Sequence, residues 1–177
     1  MATHVATYFL QSARLGFGTW AEADLPLAMA LWGDPQVMHY NGGALPPAGV
    51  EQRLARERAN LATLGIQYWP IFLLGSGEHV GCCGLQPRDA AAGIHELGYY
   101  LRPAYWQQGF ASEAARAMVE YAFRTLNAPA LFAGHYQDNV ASKRVLERLG
   151  FRYTHHEYYP PSRHDEPCYL LARGEFV

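Results

Sequence analysis

Apolar positions along this chain switch between strand-like and helical spacing, and the switches divide it into elements. Residues 9–15 predict a short first strand. Residues 22–32 follow, with Leu25, Met29 and Trp32 at helical spacing and Thr19 in the cap region. Residues 38–49 hold Asn41-Gly42-Gly43 and Pro46-Pro47, too many breakers for regular structure, and residues 50–64 resume as a charged amphipathic helix. Two short runs, 68–74 and 79–85, flank Gly75-Ser76-Gly77-Glu78 and predict a hairpin. Residues 86–93 are polar, small and Pro-containing, so Ile94–Leu101 becomes the third of three successive antiparallel strands.

Helical period then returns over residues 109–124, where Phe110, Ala114, Met118, Tyr121 and Ala122 share one face and Arg116, Glu120 and Arg124 the other. A strand over 130–135 leads to a helix over 139–149. Asn139 is its expected N-cap, Ala141, Val145 and Leu149 its apolar stripe, and Gly150 its left-handed stop. Residues 151–159 and 168–173 form a closing hairpin around the breaker-rich stretch 160–167.

One junction stands out for chemistry. From Leu97 to Glu113 an aromatic strand passes through a Pro-containing turn into Gln108-Gly109-Phe110-Ala111 and a helix. The first amides of a helix lack intrahelical partners, and the aligned peptide dipoles add roughly half a positive charge there. Gly109 and Ala111 let an anion such as a phosphate approach the main chain.

Composition narrows the classes. With 177 residues, half of them hydrophobic, the whole chain, 1–177, fits a single domain. The net charge is −2 and Lys and Arg form no dense cluster, which argues against nucleic acid as a partner. No leader-like start and no apolar run of the roughly 18 to 20 residues that span a bilayer is present, so the expectation is a soluble cytoplasmic protein without a membrane partner. Three cysteines, Cys82, Cys83 and Cys168, do not suggest a disulfide framework. His155, His156, His164 and Cys168 lack CxxC or HxxxH spacing, so no metal is expected, and the histidines and nearby tyrosines read as lining a cleft or packing. Trp20, Trp32 and Trp69 read as core, and Trp106 as core or ligand-flanking.

Five segments carry a family resemblance: Ala21-Glu22-Ala23-Asp24; Leu31-Trp32-Gly33-Asp34-Pro35-Gln36-Val37-Met38; Glu96-Leu97-Gly98-Tyr99-Tyr100-Leu101; Tyr105-Trp106-Gln107-Gln108-Gly109-Phe110-Ala111; and Asn139-Val140-Ala141-Ser142 running to Leu149-Gly150-Phe151. In this order and spacing the chain resembles the GNAT superfamily of N-acetyltransferases, in its RimJ/RimL-like branch, over nearly its whole length. Trp106 stands where the superfamily often has Gln or Arg, which favours that branch. The resemblance implies an α/β (α+β) GNAT fold. Its central sheet is mixed and largely antiparallel, splayed between the strand ending at Leu101 and the strand starting near Ala130, and flanked by about four helices. It also implies acetyl-CoA as cosubstrate. Tyr99, Tyr100 and Leu101 would pair with the pantetheine arm, and Gln107, Gln108, Gly109, Phe110, Ala111 and Ser112 would carry the pyrophosphate, in agreement with the helix-end reading. Many relatives pair as dimers, which makes a homodimer one candidate assembly while the sequence leaves the oligomeric state open.

Acetyl transfer needs a neutral amine and a proton for the departing thiolate. An α-amino group with a pKa near 7.7 to 8.0 pays about 1 kcal/mol to be neutral at pH 7, whereas a lysine near 10.4 needs about 4 to 5 kcal/mol. Glu96 sits in an otherwise apolar strand and matches a glutamate that serves as base in some members, although a structural carboxylate paired with an Arg or a backbone donor explains it equally well. Many members protonate the thiolate with a Tyr at the position held here by Leu146. By resemblance to RimL-like proteins Ser142 is the candidate acid; its alternative is an ordinary capping partner of Asn139. Asn139 would also bond the pantetheine amide. The expected activity is transfer of acetyl to a primary amine, on a protein N-terminus or a small molecule, by direct attack in a ternary complex. The alternative is a noncatalytic acyl-CoA-binding or sensing module. Acceptor choice is expected in loops 38–49 and 160–167, where Asp165 and Glu166, with nearby Glu157, either attract a cationic amine or are simply solvated.

Overall fold

The computed structural model describes residues 7–176, so the reading of the chain's start rests partly on residues 1–6, which lie outside that range. Near the start, Ser12 reverses the chain: its amide donates to the Leu15 carbonyl (2.9 Å) and its hydroxyl accepts from the Leu15 amide (3.2 Å). The single strand expected over 9–15 is therefore two, β1 (Leu10–Gln11) and β2 (Leu15–Phe17), paired antiparallel. Helix α1 (Leu25–Trp32) is preceded by a 3₁₀ turn, Glu22–Asp24, because Pro26 has no N–H to donate back into an α-helical turn. The Asp24 carboxylate, not Thr19, holds that entry, accepting from the Ala21 amide at 2.8 Å.

Helix α2 (Pro47–Leu64) starts three residues earlier than the pattern predicts, since Pro47 occupies the first turn, where no amide partner is needed. It stops at Gly65, whose φ of 71° suits glycine. Strands β3 (Tyr68–Leu73), β4 (His79–Asp89) and β5 (Ile94–Leu101) are the expected antiparallel trio. β4 runs beyond Leu85 through Pro87 because β3 has ended opposite Gly84, leaving β4 with a free edge where a missing amide costs no ladder bond.

A 3₁₀ turn, Pro103–Tyr105, leads to α3 (Phe110–Arg124), and then come β6 (Ala130–Gly134), α4 (Val140–Arg148), β7 (Arg152–Tyr159) and β8 (His164–Ala172). β8 begins four residues before Cys168; Pro167 is tolerated because the last β6 partner, Gly134, pairs with Cys168. Asn139 caps α4 by accepting from the Ser142 amide at 3.1 Å, and Gly150 follows at φ 90°.

The sheet order is β1-β2-β3-β4-β5-β6-β8-β7, antiparallel except for β5 and β6. Four α-helices cover it, giving the open mixed sheet expected of a GNAT fold. One face buries Met118, Leu131 and Leu171 beneath α3 and α4; the other buries Trp32, Leu54 and Tyr68 beneath α1 and α2. Each such side chain contributes roughly 1.5–3 kcal/mol. Trp20, Trp32 and Trp69 are core, whereas Trp106 is 44% exposed. Among the described residues no helix is long and apolar enough to cross a membrane.

Candidate active site

Parallel strands β5 and β6 pair at only two positions, His95 with Leu131 and Glu96 with Phe132. β5 then runs on to Leu101 while β6 stays with β8, so the sheet opens from Glu96 onward. The opening leads into a cleft of about 680 Å³. Glu96, Tyr99, Tyr100, Asn139 and Ser142 all line it. Both breaker-rich loops reach it too, through Tyr40 and Asn41 on one side and Pro161 on the other. The loops touch, because a Cβ on Gly42, whose φ is 86°, would collide with the Pro161 carbonyl.

Burial raises the Glu96 carboxyl above its ordinary range, against the pull of the nearby Arg88 guanidinium and a hydrogen bond from Gln86, its cross-strand neighbour. Arg88 is committed elsewhere: it pairs with Glu157 and lies over the Phe132 ring, 4.0 Å from its centroid. That bond holds the Glu157 carboxyl below its usual range. Glu166, opposite Glu157 on β8, is only 7% exposed and lines the same cleft, so it is not the solvated loop residue that its position suggested, and burial raises its carboxyl. Burial also pushes the neighbouring Cys168 thiol up to about 11. The ligand atoms of His155, Glu157 and Cys168 lie within 4.8 Å of one another. No linear spacing could reveal this trio, because His155 meets Cys168 across the β7–β8 ladder.

On the other wall the Tyr99 hydroxyl lies 2.9 Å from Ser142 Oγ and donates to the Ser142 carbonyl at 3.3 Å. Burial raises the Tyr99 phenol, so it stays protonated and able to donate. Ser142 is thus both the capping partner of Asn139 and a hydroxyl on the cleft. Leu146, one turn later, is buried and lines the cleft as well.

The second expected region stands apart from these residues. Gln107, Gln108 and Gly109 are exposed at the start of α3, outside the cleft lining, with Gln107 at φ 59° and Gly109 at φ 80°. Among the described residues, the amides of Gly109, Phe110, Ala111 and Ser112 donate to no other backbone group. Ser112 and Ala111 are partly buried and Phe110 is buried. Leu101 lies at the end of β5, its carbonyl accepting from the Trp106 indole at 2.8 Å.

Arg14, which sequence reasoning passed over, anchors this helix end. Its guanidinium donates to the Gln108 carbonyl (3.1 Å), covers Phe110 (4.2 Å from the ring centroid) and pairs with Glu113 (2.6 Å). Burial works upward on the Glu113 carboxyl, and the bonds from Ser12 and Arg14 outweigh it, leaving Glu113 below its ordinary range. No local signal marks Arg14, because its partners lie 94 and 99 residues away.

The sequence pattern of the acetyltransferase (GNAT) domain matches residues 14–152. The chain is 30% identical over 134 residues to N-acetyltransferase p20 of Bacillus licheniformis, itself uncharacterized, covering 73% of this chain and 74% of that one. It is 30% identical over 125 residues to the uncharacterized protein YkkB of Bacillus subtilis (strain 168), covering 70% and 73%. A GNAT-family acetyltransferase from Bacillus anthracis superimposes with a TM-score of 0.81 at 23% identity, over 94% of this chain and 99% of that one. RimL, a ribosomal alpha-N-protein acetyltransferase, does so with a TM-score of 0.80 at 16% identity over 97% of each chain. These two likenesses concern the fold, and the sequence match carries the assignment: the chain belongs to the GNAT family and is an N-acetyltransferase, of a family that uses acetyl-CoA as donor.

Proposed function

We propose that this protein acetylates a primary amine, on a protein N-terminus or a small molecule, by direct attack within a ternary complex, and that it belongs to the RimJ/RimL-like branch. The observation that carries the reading is the break in β5–β6 pairing just after Glu96, which leaves a strand edge, a raised carboxyl and a tyrosine–serine pair on one cleft. The likeness of fold to RimL supports the branch.

The residues fit acetyl-CoA on two counts: β5 beyond Glu96 lacks a strand partner on the β6 side, and the first α3 amides are free to receive a diphosphate. When bound, the donor supplies an activated acetyl thioester. Tyr99 and Tyr100 would border the pantetheine arm with Asn139 opposite, and residues 107–112 would hold the diphosphate, with Arg14, paired to Glu113, fixing that helix end. Leu101 would take part through its amide edge, its carbonyl already serving Trp106.

Glu96 takes a proton from the acceptor ammonium, the freed nitrogen lone pair forms the C–N bond as the C–S bond breaks, and the nitrogen then gives up its second proton to solvent to become the neutral amide. The departing thiolate takes its proton from the Ser142 hydroxyl, which Tyr99 keeps oriented, and Ser142 regains a proton from solvent in the cleft. A raised carboxyl pKa suits this base, since it narrows the gap to the amine. Incubating the protein with acetyl-CoA and a panel of peptide and small amines tests the proposal. Acetylated product by mass spectrometry with equimolar free CoA is expected; binding of acetyl-CoA without turnover of any amine would refute it.

A further inference from the structure

Glu157 and Glu166 face each other across the β7–β8 ladder, a position where like charges repel. Arg88 neutralises Glu157. Among the described residues no arginine or lysine pairs with Glu166, although a hydrogen bond from Ser162 and the nearby His164 imidazole favour its charged form against burial. Glu166 is 7% exposed, and its Oε1 has no hydrogen-bond partner among the described residues. Of the other arginines lining the cleft, Arg53 is partly buried and bonded to Glu57 at 2.6 Å, and Arg56 is exposed. The nearby His164 imidazole is tied through Nδ1 to the Ser162 carbonyl at 2.6 Å. A buried carboxylate without a cation is costly to keep, so an unfilled one lining a substrate cleft marks a seat for a charge arriving with the substrate.

We propose that Glu166 is a specificity-determining residue that receives a second cationic nitrogen of the acceptor, so that aliphatic diamines and longer polyamines are preferred over monoamines. This rests on acetyl transfer with Glu96 at the reacting amine. Glu96 and Glu166 share the cleft, on strands two places apart in the sheet and offset along them, since Glu96 is level with Phe132 and Leu170, four residues from Glu166. They are close enough for the charge of Glu166 to raise the Glu96 carboxyl. An acceptor bridging them presents one nitrogen to the base and leaves the other as a permanent ammonium on Glu166. A monoamine leaves Glu166 unpaired, and a site with an unpaired buried polar group rejects the ligand that fails to fill it.

The test compares initial rates of CoA release with acetyl-CoA and n-butylamine, 1,4-diaminobutane, 1,5-diaminopentane or spermidine, using the full chain. The preferred diamine or polyamine is expected to exceed n-butylamine in kcat/KM by about thirtyfold or more, mainly through KM. Glu166→Gln is expected to bring that ratio to within about threefold of unity by raising the KM for diamines, with Glu166→Asp intermediate. The wild-type ratio needs no variant, so a poorly folding substitution does not remove the test. Equal kcat/KM for monoamine and diamines, or a preference that persists in Glu166→Gln, overturns this inference while leaving the acetyltransferase mechanism standing. Absence of CoA release with all four amines overturns this inference, and absence with the peptide amines as well overturns both.

Discussion

Burial at Glu96 sets the sign of the pH dependence. A base acts when deprotonated, so kcat/KM falls as pH drops through a carboxyl value lying above the ordinary range. Glu96→Gln is expected to lower kcat by roughly 10²- to 10⁴-fold and to abolish that acidic limb. A pH–rate profile of the variant that superimposes on the native one would remove Glu96 from the mechanism. A different carboxylate, Glu57, illustrates structural use of the same chemistry. It is 3% exposed, accepts from the Tyr68 amide (2.8 Å) and holds Arg53 (2.6 Å), which in turn lies over the Trp32 ring. Glu57→Ala leaves a partly buried guanidinium and the Tyr68 amide without their acceptor, so a loss of about 3 kcal/mol is expected in urea denaturation. Residue type alone does not separate these glutamates: one faces a cleft and the other a partly buried arginine, a distinction made by their surroundings.

Helix α3 and its entry form the next scale. Gly109 adopts a left-handed conformation that costs a side-chain-bearing residue roughly 1–2 kcal/mol. Gly109→Val is therefore expected to weaken acetyl-CoA binding about tenfold in calorimetry, by displacing the amides proposed to hold the diphosphate. Glu113 ties this entry to the β1–β2 turn through Ser12 and Arg14. Its carboxyl is lowered in the folded state, so its contribution is complete above the unfolded carboxylate pKa and is lost as pH falls through the lower folded value. Glu113→Gln is expected to cost about 1 kcal/mol at neutral pH, with the difference vanishing in thermal melts taken toward acid. Elements with a strong period and a local cap were legible from sequence, as β5 and the Asn139 cap of α4 show. The early reversal at Ser12 and the passage of β4 through Pro87 were not, because a hydroxyl bond and the end of a neighbouring strand decided them.

At the scale of the molecule, the split between β5 and β6 divides the sheet into two parts joined at two register positions. A ligand pairing with the free edge would bridge them. Acetyl-CoA at about 100 times its Kd is expected to stabilise the fold by roughly 2.7 kcal/mol. Amide exchange should slow along residues 97–101 and 109–112, and protection confined to other regions would place the donor elsewhere. The sequence alone determined the order and kind of most elements, the glycine-bearing helix entry and the family, because periodicity, caps and breakers act between residues within a turn or two of each other. Only the tertiary structure decided which charges meet: Arg14 with Glu113 and Arg88 with Glu157, while Glu166 keeps one carboxylate oxygen unbonded among the described residues. Those pairings depend on strand register and on where the sheet opens, and both are settled by packing between segments about a hundred residues or fewer apart, beyond the reach of local pattern.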